Sequence, residues 1–230
     1  MAVLNLQAKE LFRGIKAEIP ILIGVIPFGM IYGVLAIDAG LKPTIAQAMS
    51  AIVFAGSSQF VSTQMFAAGS PGLMIILTVA VVNLRHLLYS ASIAPYLVAL
   101  SRSWKWMLAY LLTDEAYAVS ITHYRQPGDQ QLRHWFFLGA GLALWGSWQA
   151  STAAGIILGS IIPPDWPLDF TLALTFIALL VPGLKDKPDI ITAITAGGVA
   201  VFAYNLPYKL GLLLAAITGI AAGLWMEHRK

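Results

Sequence analysis

Residues 73–100 read LMIILTVAVVNLRHLLYSASIAPYLVAL, an apolar run longer than the roughly 20 residues a helix needs to cross a bilayer. Near its middle the run carries an amide, a guanidinium and an imidazole at Asn83, Arg85 and His86. A charged side chain at that depth costs roughly 2.5–3.5 kcal/mol on insertion scales, so such a group faces a bundle interior or a wet cavity. On a continuous helix Asn83, His86 and Ser90 share an arc of about 60°, while Arg85 and Tyr89 are neighbours at i,i+4. The run therefore reads as a spanning helix with a polar wedge and a cationic edge.

The rest of the chain repeats this character. Of 230 residues, 58% are hydrophobic and 11% charged, and the mean hydropathy is +0.76, which excludes an ordinary soluble domain. Apolar segments fall at about 19–37, 44–66, 73–100, 106–122, 135–161, 169–184, 190–204 and 208–226. The fold class is an all-α polytopic membrane protein of about seven or eight hydrophobic segments. Segments 106–122 and 190–204 are short for full spans, so one or two segments are expected to be broken or re-entrant. No polar stretch is long enough to fold separately, so residues 19–230 read as one transmembrane domain.

Residues 1–18 are too polar for a signal-peptide core and are expected to be retained. Leu4, Leu11, Phe12, Ile15 and Ile19 recur at helical spacing beside a basic stripe of Lys9, Arg13 and Lys16, which fits a cytoplasmic interfacial helix. A frayed, solvated terminus is the alternative. With eight crossings and the N-terminus inside, the inner loops hold Lys9, Arg13, Lys16, Arg125, Arg133, Lys185, Lys187, Arg229 and Lys230, and the outer loops hold Lys42, Arg102, Lys105 and Lys209. The inner set is larger, as the positive-inside bias requires, and both termini are expected in the cytoplasm. Because the basic residues are scattered through loops, the pI near 9.2 gives no reason to invoke nucleic acid. Cysteine is absent and the histidines lack zinc-type spacing, so neither a metal nor another cofactor is expected.

Glycine spacing adds packing information. Gly29 to Gly33, Gly155 to Gly159 and Gly219 to Gly223 are small-xxx-small pairs that permit close helix contact; Pro20 and Pro27 are candidate kinks. Gly56-Ser57-Ser58-Gln59 is echoed by Gly146-Ser147-Trp148-Gln149. Three segments separate the two starts, so a 3+3 inverted repeat followed by C-terminal helices is one candidate arrangement. Chance recurrence of small polar residues explains the echo equally well.

The candidate chemistry lies in three segments. Arg85, or the N-terminus of a broken helix, suits a carboxylate, with Asn83 and Tyr89 beside it. Gln59 with Ser57 and Ser58 sits where small residues let backbone approach a small ligand. Thr113-Asp114-Glu115 supplies the acidic counterpart, with Tyr110, Thr113, Asp114 and Tyr117 expected on one helical stripe. Asp114 and Glu115 are candidates for an ammonium or a proton, and His86 is a candidate relay because imidazole titrates near neutral pH when unperturbed. A purely structural pair between Arg85 and one of the two acids is the competing reading. Trp145 and Trp148 lie deep enough to line a pocket, and Asp169 reads as a helix cap. No P-loop, G-x-S-x-G, H-E-x-x-H or dinucleotide fingerprint occurs, so an enzyme is not expected.

Pro27-Phe28-Gly29, Val53-Phe54-Ala55-Gly56-Ser57-Ser58-Gln59, Asn83-Leu84-Arg85-His86-Leu87-Leu88-Tyr89 and Thr113-Asp114-Glu115 resemble, in order and spacing, the AzlC family. Gly141, Trp145, Trp148, Thr152, Gly155, Asp169-Phe170 and Pro182 fit the same resemblance. It implies the large subunit of a bacterial branched-chain amino acid exporter in the inner membrane. The implied substrates are leucine, isoleucine and valine, extending to methionine, and the implied partner is a small AzlD-like membrane subunit. With no ATP-binding element on the chain, the expected driving force is a proton or charge gradient. A non-transporting scaffold whose buried charges are structural is the alternative, and an intramembrane enzyme is a third.

Overall fold

The computed structural model describes residues 2–126, 132–161, 184, 186–206 and 210–227. Among these the secondary structure is all helical, and the chain is a polytopic membrane protein. The helices are α1 (Ala2–Asp38), α2 (Pro43–Val53), α3 (Gly56–Ala67), α4 (Gly72–Val82), α5 (Arg85–Ile93), α6 (Arg102–Tyr110), α7 (Asp114–Tyr124), α8 (Arg133–Gly159), α9 (Lys187–Phe202) and α10 (Leu210–Glu227), with a 3₁₀ turn at Ala94–Leu97 after α5. Residues 169–183 of the expected segment 169–184, Asp169, Phe170 and Pro182 among them, lie outside the described residues. By length and apolar composition, Asn5–Asp38, Gly72–Leu97 and Leu210–Glu227 are able to cross a membrane.

The chain divides into two compact units, Met1–Phe60 with Val82–Ile162, and Val61–Val81 with Pro163–Lys230. In the first unit, α1 is one unbroken helix that carries the predicted interfacial stretch straight into the first apolar segment. Pro20 and Pro27 both lie inside it, so neither proline ends the helix. What holds α1 is its packing on α8. A Cβ on Gly33 would meet Thr152 O at 2.5 Å and Ile156 N at 2.6 Å, while one on Gly155 would run into Met30 O, one on Gly29 into Ser151 Oγ and one on Gly159 into Val34. Two of the small-xxx-small pairs are therefore the two faces of one contact, which brings the backbones together where lipid offers no hydrophobic drive. Near the start of α1, Gly14 meets Phe136 and Gly139 meets Leu11. Residue numbers climb together along both helices, so they run parallel, as the first and fifth segments of an alternating topology must.

In the second unit, α9 starts with a reciprocal capping box between Asp186 and Asp189, which satisfies orphan amides of its first turn. It packs on α10 where Gly219 lies against Ala196 and Gly223 against Thr192. The third small-xxx-small pair is thus also a helix contact.

Candidate functional site

Three of the apolar segments in the first unit are interrupted, and the interruptions fall on the polar motifs. Segment 44–66 breaks between α2 and α3 at Phe54, whose φ of 40° and ψ of 46° place it in the left-handed region. A bulky non-glycine residue there stores strain that the surroundings must sustain, and Phe54 is buried with its ring 6.0 Å from that of Tyr110. Segment 73–100 breaks at Asn83 and Leu84, where His86 N bonds Asn83 O at 3.0 Å and Leu87 N bonds Leu84 O at 3.0 Å. These are i to i+3 bonds, so the helix tightens rather than unwinds. Segment 106–122 breaks over Leu111–Thr113, and Thr113 then caps α7 by accepting from Ala116 N at 3.3 Å.

Each pair of breaks is tied by a side chain. Ser58 Oγ donates to Asn83 Oδ1 at 2.6 Å, linking the first to the second. Arg85 Nη1 donates to Asp114 Oδ2 at 3.1 Å, linking the second to the third. Tyr110 Oη donates to Ala51 O at 2.5 Å, linking the third back to the first, and itself accepts from Trp145 Nε1 at 2.7 Å. The arrangement is a triangle of helix ends in which the N-termini of α3, α5 and α7, each carrying partial positive charge, lie beside the side chains that join them.

One expectation about helix faces changes. Tyr110 does not continue a stripe through Thr113, Asp114 and Tyr117, because the chain is extended at Thr113. The turn at Asn83 stays helical, with Leu84 in the right-handed region, and His86 Nδ1 lies 3.1 Å from Asn83 O. Neither interruption carries the proline or glycine by which a break is read from sequence.

The remaining candidates divide into two groups. Tyr89 stacks on Tyr117 with centroids 4.8 Å apart, and Tyr117 shares a hydrogen bond with Ser92 at 2.8 Å, so this edge of the triangle is aromatic. Ser57 Oγ is buried without a hydrogen-bond partner at the N-terminus of α3. Gln59 is fully enclosed and accepts from Trp148 Nε1 at 3.1 Å, inside a cluster in which Phe28 lies 4.5 Å from Phe60 and Tyr32 stacks on Trp148 at 6.3 Å. The echoed stretches therefore touch each other, and Gln149 accepts from Gln47 Nε2 at 2.7 Å. Their local structures differ: Gly56–Gln59 open a helix, whereas Gly146–Gln149 lie in the middle of α8.

Glu115 follows Asp114 in the first turn of α7, and α7 packs on α1, which carries a further acid, Glu18. Glu18 is 0% exposed and is absent from the candidates drawn from sequence. Its signal was its spacing: Gly14, Glu18, Val25, Gly29, Tyr32 and Ala36 step along α1 by three, four or seven residues and are all buried.

Interrupted helices joined through polar side chains inside an all-helical membrane protein define the class. The chain belongs to the AzlC protein family, whose model matches residues 20–162 and so spans all three breaks. It is 30% identical over 223 residues to inner membrane protein YgaZ of Escherichia coli strain K12, covering 93% of this chain and 91% of the relative. An uncharacterized membrane protein of Archaeoglobus fulgidus is also 30% identical, over 96% of this chain and 98% of its own length. The branched-chain amino acid transport protein AzlC of Bacillus subtilis is 28% identical over 80% of this chain and 71% of the relative. No solved structure matches.

Proposed function

We propose that this chain is the large subunit of a secondary exporter of small apolar amino acids, the branched-chain ones first, driven by the proton gradient across a bacterial inner membrane. The observation that carries the reading is the closed triangle of helix breaks, Ser58 to Asn83, Arg85 to Asp114 and Tyr110 to Ala51. Broken helices with polar ends facing one another are the arrangement in which carriers bind substrate away from lipid. In this reading Arg85 and the N-termini of α3 and α5 receive the substrate carboxylate. Asn83, Ser57 and Ser58 supply hydrogen bonds, Gln59 fixes the wall, and Tyr89 with its stacked neighbour Tyr117 lines the apolar side. The substrate ammonium lies toward Asp114 and Glu115, where a proton competes with it, and His86 stands next to that route. The name of the Bacillus subtilis relative supports the substrate class, and that of the Escherichia coli relative supports the membrane.

The small AzlD-like subunit belongs to the same proposal, and so do the cytoplasmic placement of both termini and the interfacial role of residues 1–18. Counterflow of labelled valine in proteoliposomes, with and without the small subunit, tests all but the topology. Valine counterflow that appears only with both subunits supports the proposal; full transport by this chain alone removes the partner from it.

A second reading has one observation in its favour. Arg85 already has a carboxylate partner at 3.1 Å, as a scaffold with structural charges would require. No counterflow under any subunit combination favours that reading.

A further inference from the structure

Glu18 lies one helical turn beyond Gly14, on the face of α1 that meets α8. Its side chain is completely enclosed, and neither Oε1 nor Oε2 has a hydrogen-bond partner. An ionised carboxylate without donors in such a place is far less stable than the neutral acid. α7 packs on α1 and carries a second acid, Glu115, in its first turn.

The two acids are not equivalent. Glu115 lies in the first turn of α7 next to Asp114. Helix N-terminal amides and the dipole favour the anion there; Glu18, mid-helix, has no such support. Among the described residues, Glu18 has no ion-pair partner. From Trp135 to Gly159, α8 carries no titratable side chain, and α2 carries none. On α1 itself Lys16 is exposed, and Glu10, two turns away, is engaged by Arg13 and His123.

We propose that Glu18 is a proton-binding residue, held as the neutral acid. The use of that proton rests on the exporter reading; its presence on Glu18 does not.

Infrared spectra of the full-length chain in lipid vesicles at neutral pH test the assignment. A protonated-carboxyl C=O band that shifts in D2O is expected in the wild type, in Glu115→Gln and in Asp114→Asn, and is expected to vanish in Glu18→Gln. Persistence of the band in Glu18→Gln, or its absence from the wild type, overturns the proposal. If Glu18→Gln does not purify, Glu18→Asp serves, and a band left unmoved by it overturns the proposal equally. With the small subunit present, Glu18→Gln should alter valine exchange less than about twofold and lower flux driven by a pH step about a hundredfold, the lower end for losing a proton-transfer group. Unchanged driven flux overturns the coupling role. Absence of wild-type counterflow overturns the exporter reading instead, and the band pattern then decides Glu18 by itself.

Discussion

Gly33→Ala and Gly24→Ala are expected to move stability in opposite directions. Both glycines lie in the interior of α1, where replacing glycine by alanine gains about 0.5–1 kcal/mol from reduced backbone freedom. A Cβ on Gly24 meets nothing within 4 Å, so that gain is realised. On Gly33 the same atom stands 2.5 Å from Thr152 O, against an ordinary contact beginning near 3.4 Å, so α1 and α8 must separate by 3.4 − 2.5 = 0.9 Å. The obstructing atoms belong to helix backbone and cannot rotate aside. Overpacking of that kind costs about 1–3 kcal/mol, leaving Gly33→Ala destabilised by about 1 kcal/mol after the helix gain is subtracted. At about 2–4 °C per kcal/mol for a chain of this size, the melting temperature of purified protein should fall by about 2–4 °C in Gly33→Ala and rise by about 1–4 °C in Gly24→Ala. Shifts of the same sign and size at both positions refute the close parallel packing of α1 on α8.

Three further outcomes follow from the site. Arg85→Lys should retain membrane yield and lose at least about tenfold in substrate affinity if Arg85 holds the carboxylate, because a point ammonium cannot reproduce the guanidinium fork; valine transport measured alongside yield decides it, and normal transport by Arg85→Ala removes Arg85 from the site. Asn83→Ala leaves the hydroxyl of Ser58, 0% exposed, without its acceptor at 2.6 Å and should destabilise the protein by about 1–3 kcal/mol, read as a lower melting temperature, whereas Ser58→Ala strands only the half-buried Asn83 oxygen and should be milder. Thr113→Ala deletes the cap of α7 and should lower stability by about 1 kcal/mol; an unchanged melting temperature would show that the N-terminus of α7 is held by other means.

How much of this was legible in the sequence depends on what kind of signal each feature leaves. Membrane spans leave long apolar runs, and the small-xxx-small pairs leave fixed spacings; both read correctly because burial in lipid permits few alternatives. The helix breaks leave almost none. Phe54 takes a left-handed conformation that its residue type disfavours, and Asn83 and Leu84 tighten a turn without glycine or proline, so a periodic reading carries the helix straight through both. The extended residue Thr113 is equally silent, so the same reading places Tyr110 on the stripe of Asp114. Glu18 escaped for a different reason. It stands where a polar, basic stretch meets an apolar one, so composition assigns it to the water side, and only the buried stripe beginning at Gly14 assigns it to the protein interior.

The positions of the charges constrain how an exporter could couple them. Arg85 meets Asp114, and Asp114 is adjacent in sequence to Glu115, so three ionisable groups lie together where α5 meets α7. A substrate carboxylate that displaced Asp114 from Arg85 would leave an extra negative charge beside Glu115 and so favour proton uptake, which moves substrate and proton together. A substrate ammonium placed against Asp114 or Glu115 does the opposite: it favours ionised acids and excludes the proton. Export against an inward proton gradient requires the second sign, because proton and substrate must occupy the carrier in turn. In the exporter proposed above, the ammonium end of the substrate, rather than its carboxylate, would then drive coupling, with Arg85 orienting the substrate.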